Sequence, residues 1–275
     1  MKDSPPISQV RYKCPPIIER VLSVDADVSQ ETFFAKFESW KQIIGEQFPE
    51  YDPIKDWRLN IETKEDTPIL TDIQPELLIT HRFWRHNKKN KRFLSMRLLP
   101  GQLTLNLHRD QDDPHSFDEL YSEMDRWLPQ WMNHFEAKGA SVVTLAYINL
   151  ISSKTTPQFI AQNGGILVGS VLRVFAGVPS QHLGIIPPYD CQMGLMIDPN
   201  RQATFGLRVL GLPVPKGQSA AIRVDFQAIV AKPIPSLTAP QVLSEAIFLH
   251  TVMCDQFESV FTDTAKQSFE PIKQL

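Results

Sequence analysis

The run Ser141–Ile151, SVVTLAYINLI, limits the possible folds of this chain more than any other stretch. It is apolar and rich in β-branched residues, stands near mid-chain, and follows a long helical pattern, so it reads as a strand that opens a second half. The order before it is strand, helix, four strands and long helix, and the same order is predicted after it.

In the first half, Pro15 and Pro16 cannot donate to a ladder, which confines them to the entry of a strand over 16–24. Ser29 is placed to cap a helix carrying Phe33, Phe34, Phe37, Trp40, Ile43, Ile44 and Phe48 at helical spacing, and Pro49 ends it. Strands are predicted over 57–62, 76–84, 92–99 and 102–108, the last two joined by the turn dipeptide Pro100-Gly101. Ser116 and Glu119 form a capping box for a helix with Phe117, Leu120, Met124, Trp127, Leu128, Trp131 and Phe135 on one stripe. Pro129 is expected to kink that helix, and Gly139 closes it.

In the second half, Pro157 opens a weaker helical pattern that Asn163-Gly164-Gly165 should interrupt. Strands are predicted over 182–187, 190–197, 202–210 and 219–230, and Thr238 with Gln241 caps a helix reaching about Phe261. The expected fold is α+β: a tandem β-α-β-β-β-β-α, a duplicated helix-grip in which antiparallel sheets pack on long helices, topologically similar to the TATA-binding-protein fold. The expected organisation is a flexible arm over 1–11, a first half over 12–139 and a second half over 140–275.

With 275 residues, 42% of them hydrophobic, the chain can bury a large core. A formal charge of -3 gives no global field that recruits nucleic acid or an anionic membrane, so such binding needs a local patch. Cys14, Cys191 and Cys254 are far apart and show no metal-ligand spacing, which fits free thiols in a reducing cytoplasm. There is no apolar signal-peptide core, and no run approaches the roughly 18 apolar residues of a membrane span. A cytoplasmic protein is expected.

Tyr12-x-x-Pro15-Pro16-Ile17-x-Glu19, together with Tyr147-Ile148-Asn149 and the chain length, resembles a sporadically distributed family of uncharacterised bacterial proteins. Leu249-His250 followed by Phe257 and Thr262 resembles the pattern that ends those proteins. The resemblance implies a bacterial, cytosolic protein and supplies no catalytic residue. Patchy distribution implies a part in genome conflict, such as phage defence or toxin immunity.

The residues themselves offer several candidate sites. His81 to Arg97 contains Arg82, Arg85, Lys88, Lys89, Lys91, Arg92 and Arg97 without an acid, interleaved with Phe83, Trp84 and Phe93, as phosphate contact and base stacking require. The same residues also suit a solvated hairpin tip, and the acidic run after His108 begins at the same sheet end. The cluster from His108 to His115 holds carboxylates and imidazoles but lacks the Gly and Glu of a calcium loop. Asp56 with Glu62 and Lys64 has the residue types of a metal-dependent nuclease, on what reads as one short strand. His250 lies on the apolar stripe of the last helix, where a hydrogen-bonded core histidine is the plainer reading. No Gly-x-Ser-x-Gly, His-Glu-x-x-His or P-loop spacing is present, so no cofactor, metal or catalytic set is expected.

Period-2 alternation puts Leu103, Leu105 and Leu107 on one sheet face and Thr104, Asn106 and His108 on the other. Ile222, Val224 and Phe226 likewise oppose Arg223, Asp225 and Gln227. Adding Arg58, Asn60, Arg82, Trp84, Ser95, Arg97 and Arg208 gives a polar, arginine-bearing face, the expected binding surface. The reading is a non-enzymatic binding or adaptor protein for a protein or nucleic-acid partner, with self-association left open. The alternatives are a metal-dependent nuclease or phosphate-processing enzyme, and a small-molecule sensor.

Overall fold

A computed structural model describes residues 11–272 apart from 13–14, 57–59, 65–66, 73–77, 88–91, 109–116, 154–155, 161–164, 176–183, 186–189 and 213–220. Among the described residues the largest sheet has nine strands: β1 (Ile17–Ala26), β2 (Glu50–Asp56), β3 (Leu78–Asn87), β4 (Arg92–Leu99), β5 (Gln102–His108), β6 (Ala140–Ser152), β7 (Asp190–Asp198), β8 (Ala203–Leu212) and β9 (Ala221–Ala231). Their spatial order is β7-β8-β9-β6-β1-β5-β4-β3-β2, and every pairing is antiparallel. Helices α1 (Gln30–Ile44), α2 (Phe117–His134) and α3 (Ala239–Val260) pack on the sheet, so the chain is α+β.

The first strands of the two halves, β1 and β6, lie side by side at the centre, with Leu22 opposite Leu145 and Val24 opposite Val143. One row on the helix side crosses the whole sheet as Leu195, Phe205, Ala228, Leu145, Leu22, Leu105, Met96, Phe83 and Tyr51. Alternation therefore sends one apolar set toward the helices from both halves and leaves the other set on the open face.

Local signals account for the three long helices. Ser29 Oγ accepts from the Thr32 N–H at the start of α1, and Thr238 N–H donates to the Gln241 side chain at the start of α3. Pro129 lies on the exposed side of α2, where the carbonyl it leaves unbonded faces water. Gly101, at φ +76°, turns β4 into β5. A side chain there would put its Cβ 2.8 Å from the Ala26 carbonyl oxygen, so the tight turn and the close approach both require glycine.

The core under the first half is aromatic. Trp40 on α1 meets Trp127 on α2 edge to face at 6.3 Å, Phe33 stacks on Phe135 at 5.2 Å, and Phe37 reaches down to His81 and Phe83 on β3. Under the second half, Phe226, Phe257, Phe261 and Phe269 form the corresponding cluster, with Tyr12 against Phe257.

Three expectations need correction. The strand predicted over 57–62 is replaced in the sheet by β2, which holds Pro53; an edge strand tolerates the missing donor. Asn60–Lys64 pairs instead with Thr67–Asp72 in a separate two-stranded sheet. The helix predicted after Pro157 is present, among the described residues, as short helical segments at Pro157–Phe159, Val168–Val171 and Arg173–Phe175, each too short to propagate by itself; Asn163 and Gly164, where the break was expected, lie outside the described residues. Of the strand predicted over 182–187 only Gly184–Ile185 is described, and it pairs with Ile166–Leu167 outside the large sheet. Among the described residues the second half therefore has no long helix in the chain position of α1, and edge strand β7 leaves Met193, Leu195 and Met196 exposed.

Trp40→Ala is expected to cost about 3–5 kcal/mol of unfolding free energy in a denaturant titration, because it empties the α1–α2 interface. Met196→Ala should stay within about 0.5 kcal/mol.

Candidate functional site

Register places the open-face residues of the first half in three rungs. The first holds Thr104, Arg97, Arg82 and Asp52; the second Asn106, Ser95, Trp84 and Glu50; the third Glu19, His108, Phe93 and His86. Arg82 and Arg97 are thus directly opposite one another across β3 and β4. Like charges in that position repel.

Only one of the two has a counter-charge among the described residues. Arg82 Nη2 donates to Asp52 Oδ2 at 2.6 Å, and its guanidinium lies 4.8 Å from the Trp84 ring centroid. Trp84 continues to Phe93 at 6.2 Å, and Phe93 to His108 at 5.1 Å, so an aromatic ridge runs beside the arginines. Glu19 accepts from Asn106 Nδ2 at 2.5 Å and lies 3.3 Å from His108 Nε2. Burial lowers the His108 pKa, Glu19 works against that, and Arg97 and Arg82 reinforce it.

Beneath these side chains the polar groups are poorly satisfied. Ser95 is 0% and Asn106 2% exposed. Among the described residues, Ser95 Oγ, Asn106 Oδ1 and the Nε atoms of Arg82 and Arg97 are buried without a hydrogen-bond partner. Orphans of this kind are rare in folded proteins; four of the eight among the described residues lie on this patch of the sheet face, the others on Arg20, Trp40, Trp131 and Asn149.

The expected face therefore divides. Arg82, Trp84, Arg97 and His108 converge on the first half, whereas Arg208 and Arg223 lie on the second. The strands of Arg97 and Arg208 are five spacings apart, about 24 Å. Arg208 makes a two-pronged bond to Asp190 at 2.9 and 2.6 Å, which holds the Asp190 carboxyl below its usual range, and Arg223 pairs with Asp225 at 2.7 Å. Arg58, Lys88, Lys89 and Lys91 lie outside the described residues. Arg85 faces the helices and pairs with Glu123, so the basic run is split between the two faces.

The other candidates do not assemble. Asp56 ends β2 while Glu62 and Lys64 belong to the separate hairpin, so they do not share one strand. Of the cluster from 108 to 115 only His108 is described, and among the described residues no group of three or more His, Cys, Asp or Glu is placed to hold a metal ion. No helix among them is long and apolar enough to cross a membrane.

Of the residues that carry the family resemblance, Glu19 lies on the open face, whereas Tyr12, Tyr147, Asn149, His250 and Thr262 make contacts on the helix side or at the end of α3. Tyr147 lies opposite Arg20, its hydroxyl is 2.6 Å from His250 Nδ1, and His250 stacks on Phe117 at 4.1 Å. Tyr12 donates to Glu258 at 2.6 Å, Asn149 donates to the Val224 carbonyl, and Thr262 caps the short helix Asp263–Ser268. Cys254 is 3.8 Å from the His250 ring, but burial pushes its thiol up to about 11, which suppresses the thiolate a nucleophile needs. The cluster locks α3 to the centre of the sheet. Arg20 was readable from period 2, since it alternates inward with Leu22 and Val24; Asp52 was hidden by the unexpected strand β2.

Ser95→Ala should leave the melting temperature unchanged or raised, because it deletes a buried hydroxyl that bonds nothing; a drop worth more than about 1 kcal/mol would show a satisfied hydroxyl. His81, whose Nδ1 is 2.9 Å from the Tyr51 hydroxyl, also has a pKa lowered by burial from 6.5. Below about 6.5 the unfolded chain takes up protons that folded His81 and His108 resist, so stability should fall as pH drops through that value. His81→Gln should flatten the slope in pH-dependent thermal melts. No protein-family model matches this chain, and no curated protein matches it.

Proposed function

We propose that this protein is a non-enzymatic binding protein that engages its partner through the open face of the first half's sheet, centred on Arg97 and Arg82. The observation that carries the reading is the directly opposed arginine pair beside buried polar atoms that lack partners among the described residues. Such a surface costs free energy in isolation, and an incoming ligand with acceptor oxygens relieves that cost. The described residues bring no nucleophile to an activating base on this face, and the one thiol beside a histidine is held protonated elsewhere.

The architecture is read as a duplicated helix-grip, similar in plan to the TATA-binding-protein fold. In support, the strand that opens each half lies at the sheet centre, the strand that closes each half flanks it, and a long helix follows each closing strand. Membership in the sporadic bacterial family, a cytosolic setting and a role in defence or immunity belong to the same proposal. The hydrogen bonds that Tyr12 makes to Glu258, Tyr147 to His250 and Asn149 to the Val224 carbonyl give these motif residues structural roles and are compatible with that membership.

Capture of partners from native-host lysate by the tagged full chain tests the reading. Arg97→Glu should reduce recovery of the partner by about tenfold or more, while Arg208→Glu should retain it, since the second-half arginine is already neutralised. Equal recovery by wild type and Arg97→Glu would move the binding surface elsewhere.

A further inference from the structure

We propose that the open-face patch around Arg97 is a nucleoside-phosphate site. In it Arg97, Arg82 and the Ser95 hydroxyl hold the phosphate, Glu19 and Asn106 take the sugar hydroxyls, and Trp84 with Phe93 receives the base. The inference rests on the open face being the binding surface and adds the chemical class of what binds.

Each part of the ligand answers a separate observation. Two opposed guanidiniums and a buried serine hydroxyl present donors from different directions, which suits a tetrahedral oxyanion better than a planar carboxylate. Asp52 already supplies a carboxylate to Arg82, leaving Arg97 as the guanidinium without an ion pair among the described residues. Asn106 Oδ1 and the Glu19 carboxylate are acceptors, which an anion alone would not satisfy and a ligand with hydroxyl groups would. Trp84 and Phe93 are partly exposed and contiguous with Arg82, a ridge on which a base can stack.

The rungs match the size of such a ligand. From the Arg97 rung to the Phe93 rung is four residues along β4, about 13 Å, close to the length of one nucleotide. Ser95 lies between them at the floor, while Arg82, Arg97, Trp84 and Phe93 around it are only partly buried. The ligand reaches the floor by displacing these side chains, of which the arginines are long and flexible. Asp52 offsets the Arg82 guanidinium and Glu19 lies beside His108, so the charge left for a phosphate is that of Arg97, supplemented by directed hydrogen bonds. Among the described residues the second half offers no equivalent: Arg208 and Arg223 are paired, and a shallow hollow of about 360 Å³ around Gly194 and Gly206 has an apolar rim of Leu195, Met196 and Ile229.

The test is calorimetric titration of the full chain with AMP, adenosine, inorganic phosphate and a ten-residue oligoadenylate. AMP should bind about tenfold or more tightly than adenosine, and Arg97→Gln should weaken AMP by a similar factor. Ser95→Ala, a smaller change, should weaken it several-fold, while Arg208→Gln leaves it unchanged. An oligomer that binds no better than AMP identifies a free nucleotide as the ligand. An oligomer that binds about tenfold better, with steep salt dependence, identifies a single strand. Absence of phosphate-dependent binding, or AMP binding indifferent to both Arg97→Gln and Ser95→Ala, overturns the site. If no probe binds yet Arg97→Glu still loses its host partner, the nucleoside-phosphate assignment falls and the open-face reading stands.

Discussion

The pairing of β1 with β6 is the constraint on which the rest of the structure depends. Each strand is flanked on its other side by the closing strand of its own half, β5 beside β1 and β9 beside β6, so neither is left with an exposed edge. Without that central ladder the chain would be two open sheets, each with an additional unpaired edge, a known route to aggregation. With it, Leu22, Val24, Val143 and Leu145 form a continuous, fully buried floor for α2 and α3. Irregularities near Ile17 and near Ala26 bound the ladder at its two ends.

Because the side-chain period of a strand is two, fixing the central register fixes both faces of all nine strands. Slipping β1 by one residue would bring Arg20 to the open face and put Glu19, Val21 and Ser23 beneath the helices. The buried contact of Arg20 with Tyr147, and through Tyr147 with His250, therefore acts as a register lock as well as a junction between halves. Its cost is a guanidinium taken out of water, with a pKa lowered mainly by that burial. The same register places Asn106, Ser95 and Trp84 in line on the opposite surface, so the lock and the proposed site are two consequences of one alignment.

Most of this alignment was legible in the sequence because it rests on short-range patterns. Alternation in Gln102–His108 and Ala221–Ala231, the caps at Ser29 and Thr238, and the Pro100-Gly101 turn each carry a local physical signal, and each corresponds to an observed element. The failures came where tertiary context decides. Pro53 argues against a strand until the strand is known to be an edge, and that depends on the order of all nine. The segment after Pro157 has enough apolar residues for a helix, yet its short turns dock on the end of α3 through Thr262 and Phe261. The arginine-bearing face was readable as a list of residues, but its division was not. Deciding that Arg97 and Arg208 are about 24 Å apart requires the strand order, and deciding which is neutralised requires knowing that Asp190 lies across from Leu210, beside Arg208.

That last contrast is an internal control for what a structurally settled arginine looks like in this sheet. Arg208 has a carboxylate on the neighbouring strand in two-pronged geometry, and Arg223 has one two residues along its own strand. Arg97 has another arginine on one side and Thr104 on the other, with Ser95 buried two residues before it and bonding nothing among the described residues. Simple solvation of a sheet surface explains exposed lysines or paired arginines, but it does not explain an unbonded hydroxyl at 0% exposure between Trp84 and Asn106, one rung from two opposed arginines. Filling the floor with apolar side chains would remove the orphans, and placing a carboxylate opposite Arg97 would remove the repulsion. Among the described residues the chain makes the second arrangement for Arg208 in the same sheet and not for Arg97, which leaves unspent hydrogen-bonding capacity on the open face of the first half.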